Sequence, residues 1–419
     1  MKSKRSQTKH VVKFRHRFFY GLARILLAWI FRLHANFHSK HYHLKGKGPY
    51  IIVANHTSAL DPILLATSTD IPIYYVASEI IFGHGLISRL LEFCFAPIPK
   101  SKSLPDISTI MTIKKVLKEK GTVGIFVEGN VTFTGGLASM PFAIGKLVKS
   151  LNVPLLFFRF HGVSQSDPRW ATKRRKGRSW GEFYSQMNPD EYNALSLDEL
   201  NKVIYERIDA NPYQENPPLA FKTKHMSEHL ERLVFACPHC HSVNTVHGYD
   251  DFVCDQCGFT AHYDEHGYLV SKEYGKQTLI EVDKLVKDNY QHYLSSHPDF
   301  ELKGEGLWVE ILKRRRKYHG SVQIIVNHES ISIISKRKDQ SFKIGYHELI
   351  SMAVQQKGGL ILYIHGRNTT MIKLPPSVSA YQFLVTLQIF VHRYKYIKGE
   401  VKNEFINLND EHHTECLGL

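Results

Sequence analysis

Between residues 45 and 210, short apolar runs alternate with stretches of helical period. Tyr50 to Ala54, Ile71 to Val76, Phe95 to Pro99, Thr122 to Val127 and Val153 to Phe160 read as strands. Between them lie predicted helices: a short one from Asp61, one from Ser78 to Phe93, one with Pro105 in its first turn, one from Met140 to Ser150, and a last one from Leu197 to Ile208. Continuous apolar runs of this length suit strands buried on both faces, and strict alternation with helices predicts an α/β layer fold with a mainly parallel sheet. Asn211-Pro212 and Asn216-Pro217-Pro218 mark its exit.

The pattern changes on both sides of this region. Phe18 to Phe31 is apolar for about 14 residues, interrupted by Arg24, where a spanning helix wants about 20. Arg32-Leu33-His34 follows instead of a small-residue cleavage site. The segment therefore predicts an amphipathic helix in a membrane interface, with Trp29 and the flanking Lys and Arg at headgroup level. A core-packing helix is the competing reading. Downstream, Thr278 to Leu294 reads as a helix. Short strand-like runs follow at Ser321 to Val326, Ser330 to Ile334, Ser341 to Ile344, Leu360 to Ile364 and Met371 to Leu374. Phe383, Leu384, Leu387, Phe390, Val391 and Tyr394 then form one helical stripe. Antiparallel strands capped by a helix predict a β-rich unit resembling pleckstrin-homology-like domains. The expected organisation is a basic tail and interfacial helix (1–44), an α/β domain (45–212), a linker (213–235), a cysteine-bearing module (236–268), a helical connector (269–300), the β-rich domain (301–398) and a polar tail without order (399–419).

Charge narrows the partners. The 419 residues carry a net charge of +15, which points to an anionic partner: a phospholipid surface, a nucleic acid or a phosphorylated substrate. The excess is concentrated in runs at Lys2 to Arg17, Lys173 to Arg178 and Lys313 to Lys317.

Candidate chemistry begins where the first strand ends. Asn55-His56-Thr57-Ser58-Ala59-Leu60-Asp61 places a histidine and a carboxylate five residues apart at a strand-to-helix junction, where α/β folds carry their working residues. A histidine there can take a proton at neutral pH while the carboxylate fixes its tautomer. The bland alternative is a turn histidine and a helix-capping aspartate.

This heptapeptide resembles the NHxSxxD block of the glycerolipid acyltransferases, the 1-acyl-glycerol-3-phosphate (lysophosphatidic acid) acyltransferase family. Gly121 to Asn130 resembles that family's apolar strand ending in FPEGTR, and Pro141 to Leu156 its helix and following strand with a VP pair. Phe95 to Lys100 sits where the family has a block ending in arginine. The resemblance implies O-acyl transfer from acyl-CoA or acyl carrier protein to the hydroxyl of a lysophospholipid, foremost 1-acyl-glycerol-3-phosphate. It implies His56 as general base oriented by Asp61, with a backbone N–H as oxyanion donor. Asn55, Ser58, Lys100, Glu128, Gly129, Asn130 and Thr132 are the implied substrate-binding positions. The chain departs from the family where Asn130-Val131-Thr132 replaces Thr-Arg-Ser, so the arginine that would grip phosphate is gone. Lys100, Lys102 or Arg159 could meet a phosphate instead, or the acceptor carries none there. Lys173 to Arg178 could meet the anionic donor or anionic lipid headgroups.

Cys237-Pro-His-Cys240 and Cys254-Asp-Gln-Cys257-Gly258 are two CxxC knuckles, the spacing of a zinc ribbon holding Zn²⁺ by four thiolates. With four thiolates no coordination position stays open, so the metal is expected to be structural. His239, His241 and His247 are rival ligands; Cys94 and Cys416 have no partner pattern. Thiolate spacing of this kind also predicts a reducing compartment. The reading is a peripheral acyltransferase on the cytoplasmic face of a membrane, with nucleic acid not an expected partner. Its alternatives are an acyltransferase for a different lipid acceptor, and a zinc-ribbon nucleic-acid- or lipid-binding protein without catalysis.

Overall fold

The computed structural model describes residues 10–44, 48–100, 107–138, 140, 143–312, 315–403 and 405–408. The expectations for the extreme N-terminal tail, Lys102, Pro105, Pro141, Lys313, Arg314 and Cys416 fall outside these residues. Among the described residues the strands form three sheets.

The first sheet contains β1 (Phe37–Ser39), β2 (Tyr50–Ala54), β3 (Ile73–Ser78), β4 (Ile98–Lys100), β5 (Thr122–Phe126), β6 (Leu155–His161) and β7 (Ser179–Met187). Its order is β1-β7-β6-β2-β5-β3-β4. β6, β2, β5, β3 and β4 run parallel, and β7 is antiparallel to β6. Both faces are covered, as a parallel sheet requires. Ile51, Val53, Val123 and Phe157 face α4 (Ile107–Lys118), α5 (Ala143–Leu151) and α8 (Leu197–Ile208). Ile52, Ala54, Leu156 and Phe158 face α1 (Phe14–Ala35) and α2 (Asp61–Ala66). Short helices α6 (Val163–Ser166) and α7 (Pro189–Asn193) lie in the connections.

Two helices differ from expectation. Helix α1 has 22 residues, longer than its apolar run because it continues through Arg15–Arg17 and Arg32–His34. It is long and apolar enough to cross a membrane. The helix expected from Ser78 to Phe93 is instead a 3₁₀ turn, Glu79–Gly83, followed by α3 (Leu86–Phe95). Gly85 breaks it with a φ of 62°, a conformation that glycine adopts without strain.

β8 (Val246–Gly248), β9 (Phe252–Cys254), β10 (Thr260–Tyr263), β11 (Tyr268–Ser271) and β12 (Gly275–Thr278) form an antiparallel meander. After α9 (Leu279–Ser296) comes a curled antiparallel sheet. Its strands are β13 (Leu302–Leu312), β14 (Arg315–Val326), β15 (Ser330–Ser335), β16 (Phe342–Gly345), β17 (Leu349–Gln355), β18 (Gly359–Ile364) and β19 (Thr369–Lys373), in the order β16-β15-β14-β13-β19-β18-β17. α10 (Ala380–Ile397) covers one face. Leu360, Leu362 and Ile364 of β18 join that core, while Ile361 and Tyr363 point the other way. There they meet Ile80 of the 3₁₀ turn, so the sheet is buried on both sides where it meets the α/β unit. The meander, α9, α10 and the curled sheet share one apolar core, which also takes in Trp170 and Ala171. The tail after Gly399 was expected to lack order, yet Ile406 is buried and its N–H donates to Gln291 Oε1 at 3.0 Å.

Candidate active site and four-cysteine cluster

Sheet register builds the site. Ala54 pairs with Phe126 across β2 and β5, so His56 and Glu128, each two residues further on, arrive side by side. β6 flanks β2 on its other edge, with Ala54 opposite Phe158. Asn55 fixes that edge, as its amide donates to Phe160 O at 3.1 Å and accepts from Phe160 N–H at 2.8 Å.

His56 Nδ1 lies 2.8 Å from Asp61 Oδ2. The same oxygen accepts from Thr57 N–H at 2.6 Å and Ser58 N–H at 2.9 Å, and Oδ1 accepts from the Thr57 hydroxyl at 3.0 Å. Asp61 is fully buried at the first turn of α2, with Pro62 behind it. An ionised carboxylate only accepts, so Nδ1 carries the hydrogen and Nε2 presents its lone pair. The His56 side chain is 22% exposed, and Nε2 has no partner among the described residues. The ring stacks on Phe126 with centroids 4.6 Å apart, and Phe126 in turn stacks on Tyr75 and Phe160. Such a site can remove a proton from a hydroxyl beside an apolar aromatic wall.

Glu128 is buried, and both its oxygens are occupied by backbone: Oε1 accepts from His56 N–H, and Oε2 from Ala138 N–H at 2.7 Å. Burial pushes its carboxyl up to about 8. Thr132 N–H donates to His56 O at 2.9 Å, so the segment after β5 grips His56 from both sides of its peptide unit. Thr132 Oγ1 accepts from Gly135 N–H, and Ser58 Oγ from Leu60 N–H. Gly129 is half-buried beside Glu128. Lys100 ends β4, opposite Ser78 at the same edge of the sheet. Asn130 Oδ1 reaches the curled sheet, accepting from Val354 N–H at 3.1 Å. Arg159 caps the C-terminus of α8 by donating to Glu206 O and Arg207 O at 2.7 and 2.9 Å. In the basic run at 173–178, Arg175 is buried, with its guanidinium over Trp170 and Tyr263. Sequence reading missed Thr57, which supplies two of the donors that hold Asp61, and Phe126. A cleft of about 640 Å³ opens between the two seven-stranded sheets, against Glu79, Pro99, Ile311 and Thr369; it does not include His56, Asp61 or Glu128.

Cys237 and Cys240, just before the meander, and Cys254 and Cys257 within it form a second cluster, their Sγ atoms all within 4.8 Å of one another. Cys237–Cys257 and Cys240–Cys254 are 3.8 Å apart, and all four cysteines are free of disulfides. A tetrahedron with metal–sulfur bonds of ~2.3 Å has edges of about 3.8 Å, so the donor set fits a four-coordinate metal ion. His239 and Cys240 N–H groups point at Cys237 Sγ at 3.4 and 3.5 Å, and Ser242 Oγ lies 3.0 Å from Cys240 Sγ. Of the rival ligands, His239 Nδ1 is 3.2 Å from Tyr274 Oη and His247 is 3.4 Å from Asp255.

A model of the family described as Acyltransferase matches residues 34–156, the segment that carries β2, His56, Asp61 and Glu128. Among solved structures, the chain is similar to the 1-acyl-sn-glycerophosphate (LPA) acyltransferase PlsC from Thermotoga maritima, at 16% identity over 46% of this chain and 78% of that one, with a TM-score of 0.35. It is also similar to the C-terminal domain of an unknown protein from Leishmania infantum, at 15% identity over 23% of this chain and 95% of that one, with a TM-score of 0.16. No curated protein sequence matches significantly.

Proposed function

We propose that the protein is a membrane-associated O-acyltransferase. It moves a fatty acyl group from acyl-CoA or acyl carrier protein to the hydroxyl of a lysophospholipid, 1-acyl-glycerol-3-phosphate in the first instance. The carrying observation is the His56–Asp61 pair, with Asp61 held by its own motif's donors and Nε2 open. Nε2 takes the hydroxyl proton as the oxygen attacks the thioester carbonyl. The tetrahedral intermediate collapses, the carbon–sulfur bond breaks, and the thiolate leaves with the proton returned from the imidazolium. The acceptor attacks directly, so no acyl-enzyme forms. Among the implied substrate positions, Glu128, Asn55 and Thr132 hold the frame.

A different acceptor is the second reading, favoured by Asn130: the side chain next to the missing arginine is engaged by Val354 rather than offered to a ligand. We further assign the cysteine cluster to a structural Zn²⁺ in a ribbon, which supplies cross-linking and no reaction step. The curled sheet with α10 is assigned as a pleckstrin-homology-like unit. The protein sits peripherally on the cytoplasmic face. Phe14, Phe18, Leu22, Ile25, Trp29 and Leu33 form one exposed stripe along α1, and Leu86, Ile87, Leu90 and Phe93 another on the adjacent α3. The test is a labelled long-chain acyl-CoA, then acyl carrier protein, with lysophosphatidic acid, other lysophospholipids, glycerol-3-phosphate and long-chain alcohols, each beside His56→Ala. Transfer to lysophosphatidic acid that is lost in the variant supports the first reading, and transfer only to another acceptor supports the second. No His56-dependent transfer to any acceptor defeats both.

A further inference from the structure

Arg169 lies between β6 and β7 and is 6% exposed. No carboxylate lies within ion-pair distance of it among the described residues. Its charge is met by carbonyls alone: Nη1 donates to Val131 O at 2.6 Å, Nε to Gln356 O at 2.8 Å, and Nη2 to Val354 O. The guanidinium also lies 4.1 Å over the Phe133 ring, whose centroid is 4.2 Å from that of Tyr381 in α10. Tyr381 is held in turn by buried Asp283. Arg169 therefore joins three separate parts of the chain: its own loop, the segment after β5, and the end of β17. The residue after Val131 is Thr132, whose N–H holds the His56 carbonyl. One residue before Val131, Asn130 makes the parallel contact to Val354.

We propose that Arg169 is a positioning residue through which the curled C-terminal sheet fixes the backbone of His56, so that acyl transfer requires this sheet to be docked. The proposal rests on the reaction assigned above. A fork of five N–H groups can satisfy three carbonyls in different directions at once; a lysine ammonium reaches fewer of them and lacks the plane that covers Phe133. Loosening Val131 loosens the Thr132–His56 bond and lets the imidazole drift from its attack position. Misplacement on the order of 1 Å can cost about a hundredfold in rate.

The test compares Arg169→Lys with Lys357→Met in the full chain. Lys357 bridges the same docking surface to Asp167 and the Ala171 carbonyl without touching the segment after β5. Two readouts are taken: kcat and KM for transfer, and amide hydrogen exchange across residues 128–138. Arg169→Lys is expected to lower kcat about tenfold or more, leave KM for the donor within about twofold, and speed exchange in 128–138. Lys357→Met is expected to do neither. Equal kcat in the two variants, or unchanged exchange in Arg169→Lys, would overturn the proposal. If Arg169→Lys fails to fold, Arg169→Gln, which keeps a planar amide donor but no fork, takes its place and should move both readouts the same way; no movement in it overturns the proposal equally. Wild-type protein without His56-dependent transfer would defeat the assigned reaction. The exchange comparison would still decide whether Arg169 holds the segment.

Discussion

The two seven-stranded sheets place their polar groups in opposite ways. Parallel strands end together, so the first sheet delivers residues far apart in sequence to one edge: His56 after β2, Glu128 after β5, Lys100 at β4. There a buried polar network binds backbone and leaves a single imidazole nitrogen open. The antiparallel sheet ends in hairpins and buries Ile324, Ile331 and Ile333 on the face that shares its core with Phe383 of α10. The difference teaches where chemistry can sit. One sheet gathers reactive groups, and the other supplies a rigid surface against which the gathering is held.

Removing His56 sharpens the contrast most. His56→Ala should cut transfer by about a thousandfold, within the range general bases contribute, at an unchanged melting temperature. A labelled-acyl assay checks it, and near-normal turnover would remove His56 as base. Cys254→Ser should abolish stoichiometric metal, measured by elemental analysis, and open 237–263 to protease while leaving the α/β sheet protected. Full resistance without metal would break the structural assignment. Ile80→Ala, at the seam between the sheets, should cost ~2–5 kcal/mol in denaturant unfolding, as truncations of buried isoleucine do. A loss within error would mean that the seam contributes little. The last prediction concerns Glu128. Its folded carboxyl titrates near 8 against an ordinary value of 4.5, so the folded state binds more protons than the unfolded state in that window. This contribution to stability is complete below 4.5 and is lost as pH rises through 8. The thermal unfolding temperature should fall from pH 5 to 8 in wild type and change less in Glu128→Gln; an equal slope in both would assign the fall elsewhere.

What could be read from sequence was what the chain keeps local. His56 and Asp61 are five residues apart and the cysteines fall in two short knuckles; spacing brought the cysteine cluster into view, and resemblance to a family block did so for the His56–Asp61 pair. Strands β2, β3, β5 and β6 were legible as buried apolar runs. β17 was not, because Leu349-Ile-Ser-Met-Ala-Val-Gln is buried on both faces and shows no alternation. β13 begins Leu-Lys-Gly-Glu-Gly, and its glycines suggest a turn; in the fold a Cβ at Gly306 would lie 2.7 Å from the Lys373 carbonyl. β7 follows a basic run and is the antiparallel neighbour of a parallel sheet, a position that strand–helix alternation does not announce. Ser78 to Phe93 reads as one helix because the break depends on Gly85 and on where Ile80 must insert. Arg169 had no signal at all, since the carbonyls it binds lie 38 and 185 or more residues away.

The core shared by the meander, the two long C-terminal helices and the curled sheet has a practical consequence. Trp170, from the α/β unit, stands edge-on to Tyr263 of the meander, with Arg175 over both rings and Arg232 on its carbonyl. A truncation after residue 212 would strip the cover from Trp170, Phe133 and Ile80 together and leave an adhesive apolar scar. For expression and crystallisation, a cut within 213–235 would pass beside Leu230, Leu233 and Val234 of that same core.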